Sequence, residues 1–234
     1  MEKYQLRTPF FVVNPKSYLY DDELLALAKK TDELAAKYDF DVLFTAQLID
    51  LPRVIAECPH LLPCAQHMES LKPGRGMGHV LPEALAAAGV KATFLNHAEN
   101  PCTAHELAAT IARANEVGIL TVVCADSVEE GKWIAALHPD VMVCELTSLI
   151  GTGQVAGEDY MRSSTEAVKA VSPSTYVLQA AGIHSGENVY DAIKYGADAT
   201  GGTSGIVAAD DPFATLDEMF EALDRARTDF AQEA

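Results

Sequence analysis

The chain has 234 residues, of which 17 are Lys or Arg and 34 are Asp or Glu, for a formal net charge of −17. Such a surplus leaves no clustered basic surface for phosphate backbones or anionic membranes, so nucleic-acid and membrane partners are not expected. With 49% hydrophobic residues the chain can build a large core, yet no apolar run approaches the ~20 residues of a membrane span.

The first ten residues, MEKYQLRTPF, carry no signal-peptide core. Five cysteines (Cys58, Cys64, Cys102, Cys124 and Cys144) are scattered without C-x-x-C spacing. That pattern reads as reduced thiols in a cytoplasmic protein.

Along the chain, short apolar runs rich in β-branched or aromatic residues recur at 9–14, 41–46, 61–66, 92–97, 120–125, 140–145, 175–180 and 197–202. The last, ADATGG, has the weakest strand character. Between them, apolar spacings of three and four predict helices, clearest over 21–38, 103–117, 127–137, 158–171, 187–195 and 212–230. Thr103 with Glu106, and Ser127 with Glu130, have the spacing of capping boxes. Gly89, Gly118 and Gly196 fall just past helical stretches, where a left-handed residue ends a helix. Apolar runs alternating with helices imply parallel strands joined by right-handed crossovers. Eight such units in a chain near the ~200–250 residues of one α/β barrel favour a closed (β/α)₈ barrel over an open doubly wound sheet. There is no linker or break in composition, so a single domain over 1–234 is expected.

In such a barrel the chemistry lies where strands end at the C-terminal rim. Asn14-Pro15-Lys16 follows the first run, Gln66-His67 the third, Asn96-His97-Ala98-Glu99 the fourth, and Glu145 ends the sixth. Gly182 follows the seventh run, and Gly201-Gly202-Thr203-Ser204-Gly205 closes the eighth. Singly, a rim glutamate can be an ion-paired cap and a lone histidine a structural one. A base, an imidazole and a cation that each follow a different strand point to acid–base chemistry.

Other features read more plainly. Gly74-Arg75-Gly76-Met77-Gly78 does not fit G-x-G-x-x-G. Cys64, His67 and His79 lack metal-ligand spacing, so no metal is expected. His60, His105, His138 and His184 read as surface residues, and Cys124 and Cys144 as small buried apolar ones. The acidic stretch 217–233 reads as the solvated face of a last helix.

At these residues the chain resembles the triosephosphate isomerase family, in its short archaeal-type form. The family's N-x-K matches Asn14-Pro15-Lys16, its A-Q-x matches Ala65-Gln66-His67, and its [G/N]-H-[S/A]-E matches Asn96-His97-Ala98-Glu99. A glutamate six residues before G-T-G matches Glu145 with Gly151-Thr152-Gly153. Ala181-Gly182-Ile183 and Thr203-Ser204-Gly205 resemble the two phosphate loops, and 72–83 resembles the proline- and glycine-rich association loop.

The resemblance implies a cofactor-free aldose–ketose isomerase of short phosphorylated sugars, most simply glyceraldehyde 3-phosphate and dihydroxyacetone phosphate. Glu145 would move the proton and His97 would act as a neutral electrophile. This pair, with its closing lid, is the known pattern of that family rather than a deduction from these residues. Neutral His97 would be favoured by the helix that starts near Thr103. Lys16 would offset enediolate charge and help hold the phosphate, with Asn14 orienting it. Backbone N–H groups at Gly151, Gly182, Thr203 and Ser204 would seat the phosphate, and Ile150 and Gly151 would lie on the lid. A homodimer or homotetramer is implied by the association loop. The alternatives are a tetrulose-phosphate (erythrulose phosphate) isomerase and a non-catalytic phosphate-binding barrel. Three sites depart from the family pattern: Leu146 stands for the usual proline, Asn100-Pro101 for basic residues, and Met77 for the threonine before Gly78.

Overall fold

In the computed structural model, which describes residues 3–146, 156–180 and 182–230, each apolar run becomes a strand. These are β1 (Phe10–Val13), β2 (Val42–Ala46), β3 (Leu62–Ala65), β4 (Ala92–Leu95), β5 (Leu120–Ala125), β6 (Val141–Cys144), β7 (Tyr176–Gln179) and β8 (Ala199–Gly202). All pair in parallel with their neighbours, and β8 returns to β1 to close the barrel. Most strands are one or two residues shorter than their apolar runs.

Helices fill the crossovers: α1 (Asp21–Tyr38), α2 (Leu51–Glu57), α3 (Pro82–Ala88), α4 (Ala104–Val117), α5 (Val128–Ala135), α6 (Glu158–Val171), α7 (Gly186–Lys194), α8 (Ser204–Val207) and α9 (Pro212–Phe230). Thr103 and Glu106 form the expected capping box at the start of α4. At α5 only half of the expected box forms. Ser127 accepts the Glu130 N–H, but the Glu130 side chain turns to the Asp126 N–H and to Asn96. None of the described helices is long and apolar enough to cross a membrane.

Alternation along each strand sorts the apolar residues into two clusters. Phe10, Val12, Leu43, Cys64, Phe94, Val122, Cys124, Val143 and Leu178 fill the barrel interior. Phe11, Val13, Val42, Phe44, Val123 and Cys144 point outward against the helices, where Phe11 meets Phe220 of α9 with ring centroids 5.1 Å apart. All five cysteines are free, and burial pushes the Cys144 thiol up to about 12.

The weak strand character of β8 has a packing cause. A Cβ on Gly201 would lie 2.1 Å from the Val12 carbonyl oxygen, so β1 and β8 approach too closely for any side chain there.

The N-terminal end of the barrel is closed by aspartates standing immediately before strands. Asp41 before β2 accepts hydrogen bonds from the Arg7 backbone and guanidinium and from Tyr4. Asp140 before β6 accepts from Lys3 and from the Thr121 N–H and hydroxyl. Asp198 before β8 accepts the Val177 N–H and pairs with Lys169.

Candidate active site

At the opposite end, the loop after β1 presents Lys16 with its backbone clamped. Asn14 Oδ1 accepts the Lys16 N–H at 3.1 Å and the Thr45 hydroxyl at 2.5 Å, and Gln66 Nε2 donates to the Lys16 carbonyl at 2.7 Å. These bonds hold Lys16 at φ 47, a left-handed conformation that a residue with a Cβ adopts only when its surroundings impose it. The ammonium, only 15% exposed, meets Glu99 Oε1 at 2.7 Å. Burial alone would raise the Glu99 carboxyl; its hydrogen bond and attraction to Lys16 outweigh this and hold it below the usual carboxylate value.

His97 follows β4 and is 13% exposed. Burial lowers its pKa, the Lys16 charge lowers it further, and Glu99 opposes both. The direction agrees with the neutral imidazole expected there, with burial the first cause and Lys16 the second. The Glu99 backbone N–H donates to His97 Nδ1 at 3.1 Å. An N–H donor on Nδ1 leaves the single proton of the neutral ring on Nε2.

Glu145 stands one residue past β6, with its backbone N–H bonded to the Ala125 carbonyl at 3.0 Å. Burial raises its carboxyl above the usual value, Lys16 opposes the rise and Glu99 adds to it. A carboxylate made more basic by burial, with no side-chain hydrogen bond among the described residues, is suited to taking a proton.

These side chains border one cavity of about 550 Å³ at the C-terminal mouth of the barrel, together with Asn14, Gly182, Thr203 and Ser204. Gly182, Gly201, Gly202 and Gly205 also line it. Gly182 sits at φ 75, and a Cβ on Gly205 would lie 2.1 Å from the Ile183 carbonyl oxygen. The loops after β7 and β8 are therefore packed main chain to main chain, the arrangement that lets peptide N–H groups approach an anion.

The structure brings Asn14, Lys16, His97, Glu145, Gly182, Thr203 and Ser204 together around this cavity. Ile150 and Gly151, expected on the lid, lie outside the described residues, as does Ala181. His184, expected at the surface, is exposed yet also lines the cavity, and its Nδ1 donates to the Gly182 carbonyl at 2.7 Å. The sequence does not single out Thr45, places Gln66 and Glu99 at the rim without a role, and makes none of their pairings legible. Their partners are 31, 50 and 83 residues away in the chain. Among the described residues no group of three or more His, Cys, Asp or Glu side chains is placed to hold a metal ion.

The family model of triosephosphate isomerase matches residues 9–198. The chain belongs to the triosephosphate isomerase family. It is 34% identical over 225 residues to the triosephosphate isomerase of Methanopyrus kandleri, covering 94% of this chain and all of that one. It is 32% identical over 216 residues to that of Methanothermus fervidus, covering 90% and 97% of the two chains. With that of Sulfurisphaera tokodaii it shares 30% identity over 232 residues, covering 95% and 100%. As a member of this family the chain is an isomerase, an intramolecular oxidoreductase. The relatives do not favour the tetrulose-phosphate alternative.

Proposed function

We propose that this isomerase interconverts glyceraldehyde 3-phosphate and dihydroxyacetone phosphate through an enediolate held in the cavity at the barrel mouth. The observation that carries the reading is that Lys16, His97 and Glu145 line one cavity together with Gly182, Thr203, Ser204 and Gly205, with the Lys16 charge acting on both His97 and Glu145.

In this reading the Glu145 carboxylate takes the proton from the carbon α to the carbonyl, and the electron pair moves onto the carbonyl oxygen. His97 donates its Nε2 proton to that oxygen and recovers one from the neighbouring hydroxyl. Glu145 then returns its proton to the second carbon, so atoms and charge balance over the cycle. Lys16 leaves its pairing with Glu99 to face the developing oxyanion, where a fixed cation in a site with little water is most effective. Asn14 sets the Lys16 backbone. Gly151, Gly182, Thr203 and Ser204 receive the phosphate, with Ile150 and Gly151 closing over it to keep water from the enediolate.

The same proposal takes 1–234 as one barrel domain of a cytoplasmic enzyme that assembles as a homodimer or homotetramer. Supporting assembly, Met77 and Ile49 are large apolar residues left exposed on loops at this end of the barrel. An isomerisation assay on triose and tetrulose phosphates, with Glu145→Gln and Lys16→Ala as controls, tests the function. Triose turnover abolished by Glu145→Gln is the expected result. Turnover of tetrulose phosphate alone would replace the assigned substrate, and turnover unaffected by Glu145→Gln would overturn the assigned base.

A further inference from the structure

Asn96 directly follows β4, at φ 57. This is the left-handed region, open to glycine and tolerated by few side chains besides asparagine. A glycine would satisfy the backbone, but the amide forms bonds that glycine could not. Its nitrogen donates to the Cys124 carbonyl of β5 at 3.0 Å and to Glu130 Oε1 on α5 at 3.1 Å, and its oxygen accepts the Cys102 N–H ahead of α4 at 3.1 Å. A carbonyl acceptor on one side and a backbone N–H on the other decide which amide atom is which. The second oxygen of Glu130 accepts the Asp126 N–H at 2.8 Å. One side chain thus joins the ends of two strands to the starts of two helices, where Asn100 and Pro101 replace the basic residues usual in the family.

The next residue is His97. It lies in a tight turn, with its carbonyl accepting the Asn100 N–H at 2.7 Å and its Nδ1 accepting the Glu99 N–H at 3.1 Å. Those bonds shape the turn internally but do not attach it to the barrel. His97 borders the main cavity and also a second one of about 250 Å³, which Asn96 and Glu130 line as well. The ion pair of Glu99 with Lys16 holds the far side of the turn, and the end that joins β4 is held through Asn96.

We propose that Asn96 is a positioning residue for the isomerisation. Through its bonds to Cys124, Glu130 and Cys102 it sets where the His97 turn stands, and so where Nε2 meets the substrate oxygens. This rests on the reading of His97 as the electrophile.

The test compares Asn96→Gly, Glu130→Gln and His97→Gln in the full chain, by steady-state kinetics, thermal unfolding and ¹⁵N NMR of the histidine rings. Asn96→Gly keeps a residue suited to φ 57, so it should fold. Its kcat should fall between about 10- and 100-fold with KM nearly unchanged, because an ångström of misplacement at a reacting group costs that much. The His97 ring ¹⁵N shifts should move with it. Glu130→Gln should give the same kcat-only signature at smaller size, and it reports on the network if Asn96→Gly fails to fold. Wild-type kcat in both variants would overturn the proposal, and so would a kcat loss with unmoved His97 ring signals. Near-normal turnover by His97→Gln would instead overturn the role of His97 itself, whatever the Asn96 variant does.

Discussion

The two ends of the barrel use carboxylates in opposite ways. At the N-terminal end Asp41, Asp140 and Asp198 each stand immediately before a strand and are saturated with donors from elsewhere in the chain. At the C-terminal end Glu145 stands immediately after a strand, is half-buried, and has no side-chain hydrogen bond among the described residues. The first group holds segments together because its charge is fully answered. The charge of the second is not, since the Lys16 cation that opposes its raised pKa is paired with Glu99, which is what the proposed role of a base requires. In this fold, position at the bottom of a strand goes with stability and position at the top with chemistry. Here that division also follows how far each carboxylate is satisfied.

The strongest challenge to this contrast is Glu145→Gln. Loss of a general base should lower kcat by about 10²–10⁴-fold. Burial makes the folded carboxyl titrate above its unfolded value, so it contributes stability as the neutral acid at low pH, and that contribution is lost as pH rises through the folded pKa. The variant should therefore unfold at an equal or higher temperature than the wild type at pH 8, with the difference shrinking towards pH 4. A clearly lower melting temperature at pH 8 would make Glu145 a structural carboxylate like those at the other end.

Lys16→Ala should lower kcat/KM by about 10²–10³-fold, the range expected for one electrostatic contact to a developing oxyanion. Lys16 is also the charge that opposes the raised pKa of Glu145 and lowers that of His97. Removing it should move the acid limb of the kcat/KM profile to higher pH. In the wild type that limb should already lie above the ordinary carboxylate range, because the base must be ionised to act. A limb below that range, or one unmoved in Lys16→Ala, would detach Glu145 from the acid titration.

At the bottom, Asp41→Ala should leave kcat/KM unchanged and cost about 1–3 kcal/mol through the unpaired donors. The larger penalty for stranding a buried charge is not expected, since the Arg7 side chain is 55% exposed and can be hydrated. In a protein of this size the melting temperature should fall by about 2–4 °C per kcal/mol. The smallest effect expected is from Ser127→Ala, about 1 kcal/mol for the lost cap on α5. A kinetic defect in Asp41→Ala would show that the two ends are coupled, which the contrast denies.

By itself the sequence determined the alternation of eight apolar runs with helical stretches, hence the closed barrel. It also determined which loops carry Asn14, Lys16, His97, Glu145, Gly182, Thr203 and Ser204. Those are local patterns: a strand's apolar run, a helix's spacing of three and four, and a polar residue just past an apolar run. Where the pattern was faint, the cause was local in one case and tertiary in the other. Helix α2 has seven residues with a proline near its start, too short for a period to declare itself. The ATGG of β8 looked weak because Gly201 answers to the Val12 carbonyl across the closing seam rather than to strand propensity.

Only the tertiary structure decided the partners: Glu99 with Lys16, Gln66 with the Lys16 carbonyl, Thr45 with Asn14, and Asn96 with Cys124 and Glu130. The most distant of these pairs lies 83 residues apart. They meet because closing a barrel brings successive strand ends into one ring, and no periodicity within a single element records which neighbour a side chain will face.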